Sequence, residues 1–424
     1  MKNLFNIFSV LVLIIMIFGC QELDSIDPVQ FEQAIETEGE GTLDPKLQKY
    51  LRDVGLSESG VKPFFEGYLV EGDIYVSQKV LNEYYEGVSK KGENSQYRYN
   101  DLINTVPGSI YNISYKFDPS VPTSSTHGWR LAAHQAYDEW ENVRNVQLRF
   151  QEVTSGSADI TIYGYYDGSN SRAIASAARP ALGKPGNIVY INTYYNFLQP
   201  DEKLMTLVHE IGHSIGFHHT NYNDPANPSV GDPGPNPNNI PGVKIAGTWV
   251  SDAASVMNHT LTAGYSGFTY LDQLSVRTMY PLDLSEKPFY AYLKNSTGGY
   301  NWTPYWSTYG FAGQGFSYWG FIGYVFTSPK AGTVPLYKYR HNVTNVDYLS
   351  LNPNLGTLYP GYVSQGIIAR VYTTSASDRT AVYEWYHPNK GFYFTTLVND
   401  GVVASGGWTG GGIAFYTLKL DQYN

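Results

Sequence analysis

The last third of this 424-residue chain is written three times over, and that constrains its fold more than any other feature. Gly315-Phe316, Gly361-Tyr362 and Gly407-Trp408 recur at a spacing of 46, and five residues after each first glycine stands another: Gly320, Gly366 and Gly412. Earlier in each unit comes a short aromatic strand (FYAYL, LYKYR, VYEWY) and then a second one (YWST, DYLS, FYFTT). The units end alike, in GFIGYVF, GIIARVY and GIAFYTL. A unit of this size cannot bury its apolar face alone. Residues 284–424 are therefore expected to form one all-β threefold-repeat domain, which could close in the manner of a β-trefoil.

Charge narrows the function. Lys and Arg total 28 against 38 Asp and Glu, a formal net charge of −10, and no basic cluster stands out, so nucleic acid is not an expected partner. Charged residues are only 16% of the chain while aromatics are 15%, a balance that suits β-rich folded structure.

The N-terminus explains the single cysteine. MKN supplies a positive start, LFNIFSVLVLIIMIF an apolar run, and Gly19-Cys20 ends it before the acidic QELDSID. The run is short for a membrane span, which needs roughly 20 residues. Ile17-Phe18-Gly19-Cys20 resembles the lipobox of bacterial lipoproteins. That resemblance implies a signal peptide over 1–19, lipidation of Cys20, and an outer-membrane lipoprotein of a bacterial cell envelope. The acidic residues that follow resemble surface-export signals and favour the exterior face. With one cysteine, no disulfide forms within the chain, so stability must come from packing or bound metal.

Residues 20–42 read as a flexible acidic tether. Residues 43–108 form an N-terminal extension or pro-region: DPKLQKYLRDV has helical spacing with Asp44 and Pro45 as cap and first-turn residue, and residues 64–88 read as a strand, a turn and a second helix. From 109 to 283 the pattern is mixed. IYNISYKF, VQLRFQEV, ADITIYGYY and GNIVYINTYY read as strands, while HGWRLAAHQAYDEWENV and DEKLMTLVHEIGHSIGF read as helices. The Pro/Asn/Gly/Asp-rich residues 221–243 read as an irregular loop. Asp224 and Asp232 there offer carboxylates to calcium, although their spacing fits no calcium loop.

The stretch HEIGHSIGFHH carries the chemistry. His209 and His213 stand four apart, so on a helix their imidazoles lie on one face, a turn apart, and can meet one ion. Zinc takes nitrogen ligands tetrahedrally, and a catalytic site leaves one position open for water. Glu210 then stands where it can take a proton from that water, and Gly216 can end the helix so that His219 approaches as third ligand.

His209, Glu210, His213, Gly216 and His219 reproduce the pattern HExxHxxGxxH, which resembles that of the metzincin zinc peptidases. SVMNH at 255–259 is similar to the metzincin Met-turn, and HEIGH with IPG, GT and D..SVM resembles the bacterial HEIGH metallopeptidases called M57. The resemblance implies an α+β metzincin-like catalytic domain with a mixed sheet, an active-site helix and a Met-turn whose Met257 lies under the metal. It implies zinc-dependent endopeptidic hydrolysis of protein or peptide substrates. In several such groups a tyrosine follows two residues after the methionine; here His259 stands there, a candidate stabiliser of the transition-state oxyanion. Metzincins pair extended substrate with a sheet edge strand, and residues 186–195 are the candidate. A competing reading is a glycan-binding or adhesive lipoprotein with a vestigial metal site, in which Trp306, Tyr318, Trp319, Trp385 and Trp408 of the repeats stack on sugar rings or a surface.

Overall fold

The N-terminal extension is the part whose structure departs most from the sequence pattern. Helix α1 (Pro45–Val54) is followed by three short strands, β1 (Lys62–Phe64), β2 (Gly67–Val70) and β3 (Ile74–Ser77), and then α2 (Gln78–Tyr85). Where one strand was expected there are three, because the chain doubles back twice through left-handed residues: Phe65 at φ 48°, then Glu71 and Gly72 at φ 54° and 96°. The computed structural model describes residues 43–54, 56–85, 97–99, 101–123, 128–169, 173–220, 243–245, 248, 252, 254–258, 264–305, 315–397, 400–404 and 406–419. Cys20, the tether, Asp224, Asp232, His259 and Trp306 lie outside them. No helix among the described residues is long and apolar enough to cross a membrane.

The middle part contains β4 (Tyr97–Arg98), β5 (Tyr111–Phe117), α3 (Trp129–Asn142), β6 (Leu148–Glu152), β7 (Ile160–Tyr165), β8 (Ala175–Ala178), β9 (Ile188–Asn192), α4 (Pro200–Ser214), β10 (Val243–Lys244) and α5 (Tyr270–Met279). β4 pairs with β10, and the other strands join β1–β3 in one eight-stranded mixed sheet of order β1-β2-β3-β8-β9-β7-β5-β6. β6, β5, β7 and β9 are parallel, while β8 runs antiparallel to β9. This order corrects the expectation for residues 186–195. β9 is internal, flanked by β7 and β8, and its neighbour β8 escaped the sequence pattern because Ala-Ser-Ala-Ala has no apolar alternation.

The strands β5, β6, β7 and β9 present Ile113, Leu148, Ile160, Ile162, Val189 and Ile191 to helices α3 and α4, and this main core draws on residues 103–280. Trp140 ties the two helices together, its Nε1 donating to the Val208 carbonyl at 2.9 Å. The N-terminal extension has a separate small core of Leu47, Tyr50, Leu51, Leu56, Val70, Ile74, Val76, Leu81 and Tyr99.

After this part the described chain is almost wholly β. Three units each supply a long, a short and a long strand: β11 (Glu286–Lys294), β12 (Tyr300–Thr303) and β13 (Phe316–Phe326); β14 (Thr333–His341), β15 (Asp347–Ser350) and β16 (Tyr362–Tyr372); β17 (Arg379–His387), β18 (Gly391–Thr395) and β19 (Thr409–Leu418). The repeated glycines have a structural cause. Gly320, Gly366 and Gly412 face Ala291, Lys338 and Glu384 at the point where each long hairpin slips register. β13, β16 and β19 also pair with one another through Tyr324↔Leu418, Phe326↔Arg370 and Tyr372↔Tyr416, drawing the three units together. Trp319 is exposed, whereas Tyr318, Trp385 and Trp408 are half-buried, the last two against the domain core. This domain abuts α5 through Leu271, Leu274, Tyr324, Phe326, Tyr372 and Leu418, with Arg144 donating to the nearly buried Glu286 at 2.5 Å beside them.

Candidate metal centre

Helix α4 begins at Pro200 with a reciprocal capping box between Gln199 and Glu202, and its last two turns are buried on every side. A helix buried all round must satisfy its polar side chains internally. His209, Glu210 and His213 are 2%, 3% and 0% exposed, and each has defined surroundings. The helix ends at Ser214, and Gly216 at φ 115° turns the chain back, where a Cβ would stand 2.6 Å from Leu102 Cδ2. That turn brings His219, 2% exposed, against the two helical histidines.

The outward nitrogen of each ring fixes what the inward one can do. His209 Nδ1 lies 2.7 Å from the Val256 carbonyl and His213 Nδ1 lies 2.9 Å from the Phe217 carbonyl and 3.1 Å from Tyr99 Oη. A carbonyl only accepts, so both Nδ1 atoms carry the proton. His219 Nδ1 faces the buried Glu71 carboxylate at 3.7 Å. The three Nε2 atoms converge, His213 to His209 at 3.0 Å and His213 to His219 at 3.2 Å. Imidazole nitrogens directed at one point in this way form the arrangement that a shared cation calls for. Ligands at ~2.0–2.1 Å in a tetrahedron stand about 3.3 Å apart, so the spacing fits a zinc-sized ion. His209 and His213 also have the outer hydrogen-bond partner typical of metal-bound histidine, and His219 has the Glu71 carboxylate behind it.

A fourth group completes the set. Asp73, in the tight turn between β2 and β3, places Oδ2 3.2 Å from His219 Nε2 and 3.5 Å from His209 Nε2, and Oδ1 3.9 Å from His213 Nε2. Neither Asp73 nor Glu71 stood out in the sequence, because nothing local links an EGD turn to a motif far downstream. His218 is turned differently: its Nδ1 accepts from the His219 N–H at 2.7 Å and its Nε2 faces Glu71 at 3.4 Å.

These charges set the local electrostatics. Burial raises the Asp73 carboxyl, but the surrounding imidazoles outweigh it and hold the group well below the usual range. Burial disfavours charge on His219, yet Asp73 and Glu71 raise it to about 10. His213 is pushed well down by burial and by the two neighbouring imidazoles. Burial, and then the Asp73 charge, drives Glu210 well above the usual carboxylate range. Glu210 Oε2 is buried and has no hydrogen-bond partner among the described residues, so an acceptor stands ready beside the ligand set.

Residues 255–258 support the site from beneath. Asp272, the partner of the N-cap Thr269 in the capping box of α5, accepts from Ser255 Oγ and from the N–H groups of Val256 and Thr269, which fixes the Val256 carbonyl under His209. Met257 is fully buried and lies against Gly212, where a Cβ would meet its Sδ at 2.3 Å. The glycine within HEIGH thus makes room for the methionine, a role its mid-helix position could have signalled.

Two solved structures titled as myroilysin are similar to the chain: one at 17% identity covers 42% of this chain and 82% of its own, with TM-score 0.27. The other, at 18% identity, covers 46% and 93%, also with TM-score 0.27. No curated protein matches the chain. Residues 310–418 match a domain of unknown function, DUF5648. The family described as dual-action HEIGH metallo-peptidase matches residues 68–280, half of the chain with His209–His213 inside it, and the chain belongs to that family.

Proposed function

We propose that the chain is a zinc-dependent endopeptidase of the metzincin class, with residues 109–283 as its catalytic domain, His209, His213 and His219 as metal ligands, and Glu210 as general base. The observation that supports this reading is the convergence of the three histidine Nε2 atoms beside Glu210 Oε2, which has no hydrogen-bond partner among the described residues. Zinc, when bound, supplies Lewis acidity toward a scissile carbonyl and lowers the pKa of water. Glu210 Oε2 accepts a proton from the attacking water and returns it to the leaving amine nitrogen. Its buried setting suits the task, because a carboxylate with a raised pKa holds that proton between the two transfers. The carbonyls of Val256 and Phe217 keep the rings in one tautomer and one orientation. Met257 is the Met-turn methionine in this reading, supported by its burial against Gly212.

We also propose that lipid on Cys20 holds the enzyme at a bacterial envelope, facing outward, through the tether of residues 20–42. The C-terminal body is read as trefoil-like, supported by its threefold long-short-long strand units and the mutual pairing of β13, β16 and β19. The test is zinc content and cleavage of an unfolded protein such as casein, with Glu210→Gln beside the parent. A Gln variant that keeps about one zinc but loses turnover by at least two orders of magnitude supports the assignment. A Gln variant that cuts as well as an active parent removes it.

A further inference from the structure

The threefold symmetry of the C-terminal body fails at one junction. At the position facing the register-slip glycine, the second and third units carry Lys338 and Glu384, while the first carries Ala291. Each long side chain reaches back to the short strand of the unit before it. Lys338 Nζ donates to Asn301 Oδ1, and to Asp347 of its own unit at 2.8 Å, and Glu384 Oε2 accepts from Tyr348 Oη at 3.2 Å. Asn301, Tyr348 and Tyr393 are equivalent positions, standing opposite Tyr292, Tyr339 and Trp385 in the three short hairpins. By the same rule Tyr393 would be met from position 291, and alanine has no polar atom to meet it with.

A different set of groups gathers at this junction between the third and first units. Just before Gly320 stands Trp319, where the other units have Gln365 and Gly411. Trp319 is 42% exposed and is supported edge-on by the nearly buried Tyr300, whose ring lies 5.8 Å from it and 4.6 Å from Tyr393. Tyr393 Oη donates to Asp400 Oδ2 at 3.0 Å, the oxygen that also accepts from Thr395 Oγ1. Beyond Tyr393 lies Trp408 at 5.6 Å, with Lys390 Nζ 5.9 Å from its ring centre. Trp408 Nε1 is buried and has no hydrogen-bond partner among the described residues, an unused donor within the same cluster. An exposed indole, a carboxylate, an ammonium and a spare N–H together make an apolar platform flanked by both donors and acceptors.

We propose that this junction is a single saccharide-binding subsite, in which the apolar face of a neutral pyranose chain lies on Trp319 and its hydroxyls reach Asp400 and Lys390. The ligand is neutral because Lys390 already supplies a cation to the aromatic cluster and Asp400 opposes an anion. The role falls to Trp319 because other aromatics of the repeats are committed to packing. Tyr318 lies against Tyr290 and Tyr292, and a Cβ on Gly411 would stand 2.7 Å from the Trp385 ring. The subsite is independent of the peptidase reading and would hold the chain against a polysaccharide surface.

The experiment titrates the chain from residue 21 by calorimetry with cello-, xylo- and chito-oligosaccharides and with a proline-rich peptide. Trp319→Ala, Trp319→Phe and Asp400→Asn are run beside Tyr359→Ala, which removes an aromatic that is 60% exposed elsewhere in the domain. The expected result is one site per chain for at least one sugar, weakened about tenfold by Trp319→Ala, with Trp319→Phe in between and Tyr359→Ala unchanged. Asp400→Asn weakens the same binding severalfold. Asp400 also holds Tyr393 and Thr395, so if that variant unfolds the two Trp319 variants still decide the matter. No sugar binding at millimolar concentration overturns the proposal, as does binding that Trp319→Ala leaves unchanged. Three equal sites per chain overturn the single junction, and peptide binding that depends on Trp319 without sugar binding overturns the ligand class.

Discussion

Replacing Gly212 by alanine tests how the active-site helix is seated. Elsewhere in a helix the change would stabilise, since alanine is favoured over glycine by about 1 kcal/mol. Here the added Cβ would stand 2.3 Å from Met257 Sδ, 3.1 Å from its Cε and 3.1 Å from Trp140 Cζ2. Ordinary carbon contacts are ~3.5–4.0 Å, so one neighbour must move by about 1 Å. Trp140 is pinned by its hydrogen bond to Val208, and Met257 has no exposed surface into which to swing. Overpacking of this kind costs ~1–3 kcal/mol, and the upper end applies where neither neighbour can yield. The net expectation is a loss of about 1–2 kcal/mol, read as a lower urea midpoint at unchanged slope and fixed metal concentration. Met257→Ala relieves the clash, so the double variant should lose less than the sum of the singles by about 1 kcal/mol or more. If Gly212→Ala instead stabilises, or the two changes are additive, then Gly212 is not the space that Met257 fills.

Gly216→Ala should cost about 1–2 kcal/mol and weaken metal retention, because φ 115° is strained for any side chain and the Cβ would meet Leu102 Cδ2 at 2.6 Å; equilibrium unfolding and chelator competition check both. Asp272 is fully buried, and burial leads the causes that raise it to about 6. A raised carboxylate contributes stability that is present below the unfolded value of about 3.9 and lost as pH rises through 6, a difference of roughly 2–3 kcal/mol. The stability gap between the parent and Asp272→Asn should therefore widen in the parent's favour as pH falls from 7 to 4; a gap independent of pH refutes this. Arg144→Met leaves Glu286, whose side chain is 6% exposed, without its nearest cation and should cost ~2–3 kcal/mol, the lower part of the range because Arg144 is itself 30% exposed. An unfolding curve that stays superimposed on the parent's would refute that pairing.

What the sequence disclosed and what it hid follow from the range of the interactions. His209, Glu210 and His213 share a helix, so their spacing alone fixes their relative directions, and Gly216 signals the reversal that brings in His219. The threefold repeat was legible because each unit carries its own pattern, glycine at the register slip included. Everything else at the site depends on contacts between distant segments. Val256 O, Phe217 O, Tyr99 Oη and Glu71 orient the rings, and Asp272 holds Val256, yet none of these has a local pattern that names its partner. The misplaced edge strand has the same origin. Alternation identified β9 as a strand but carried no information about its neighbours, and the small residues of β8 concealed the strand lying beside it. Small side chains suit a strand with close neighbours all round: all four residues of β8 are buried, between β9 and β3 in the sheet and with α4 packed on it. The feature that hid β8 from periodicity thus goes with its close packing among β9, β3 and α4.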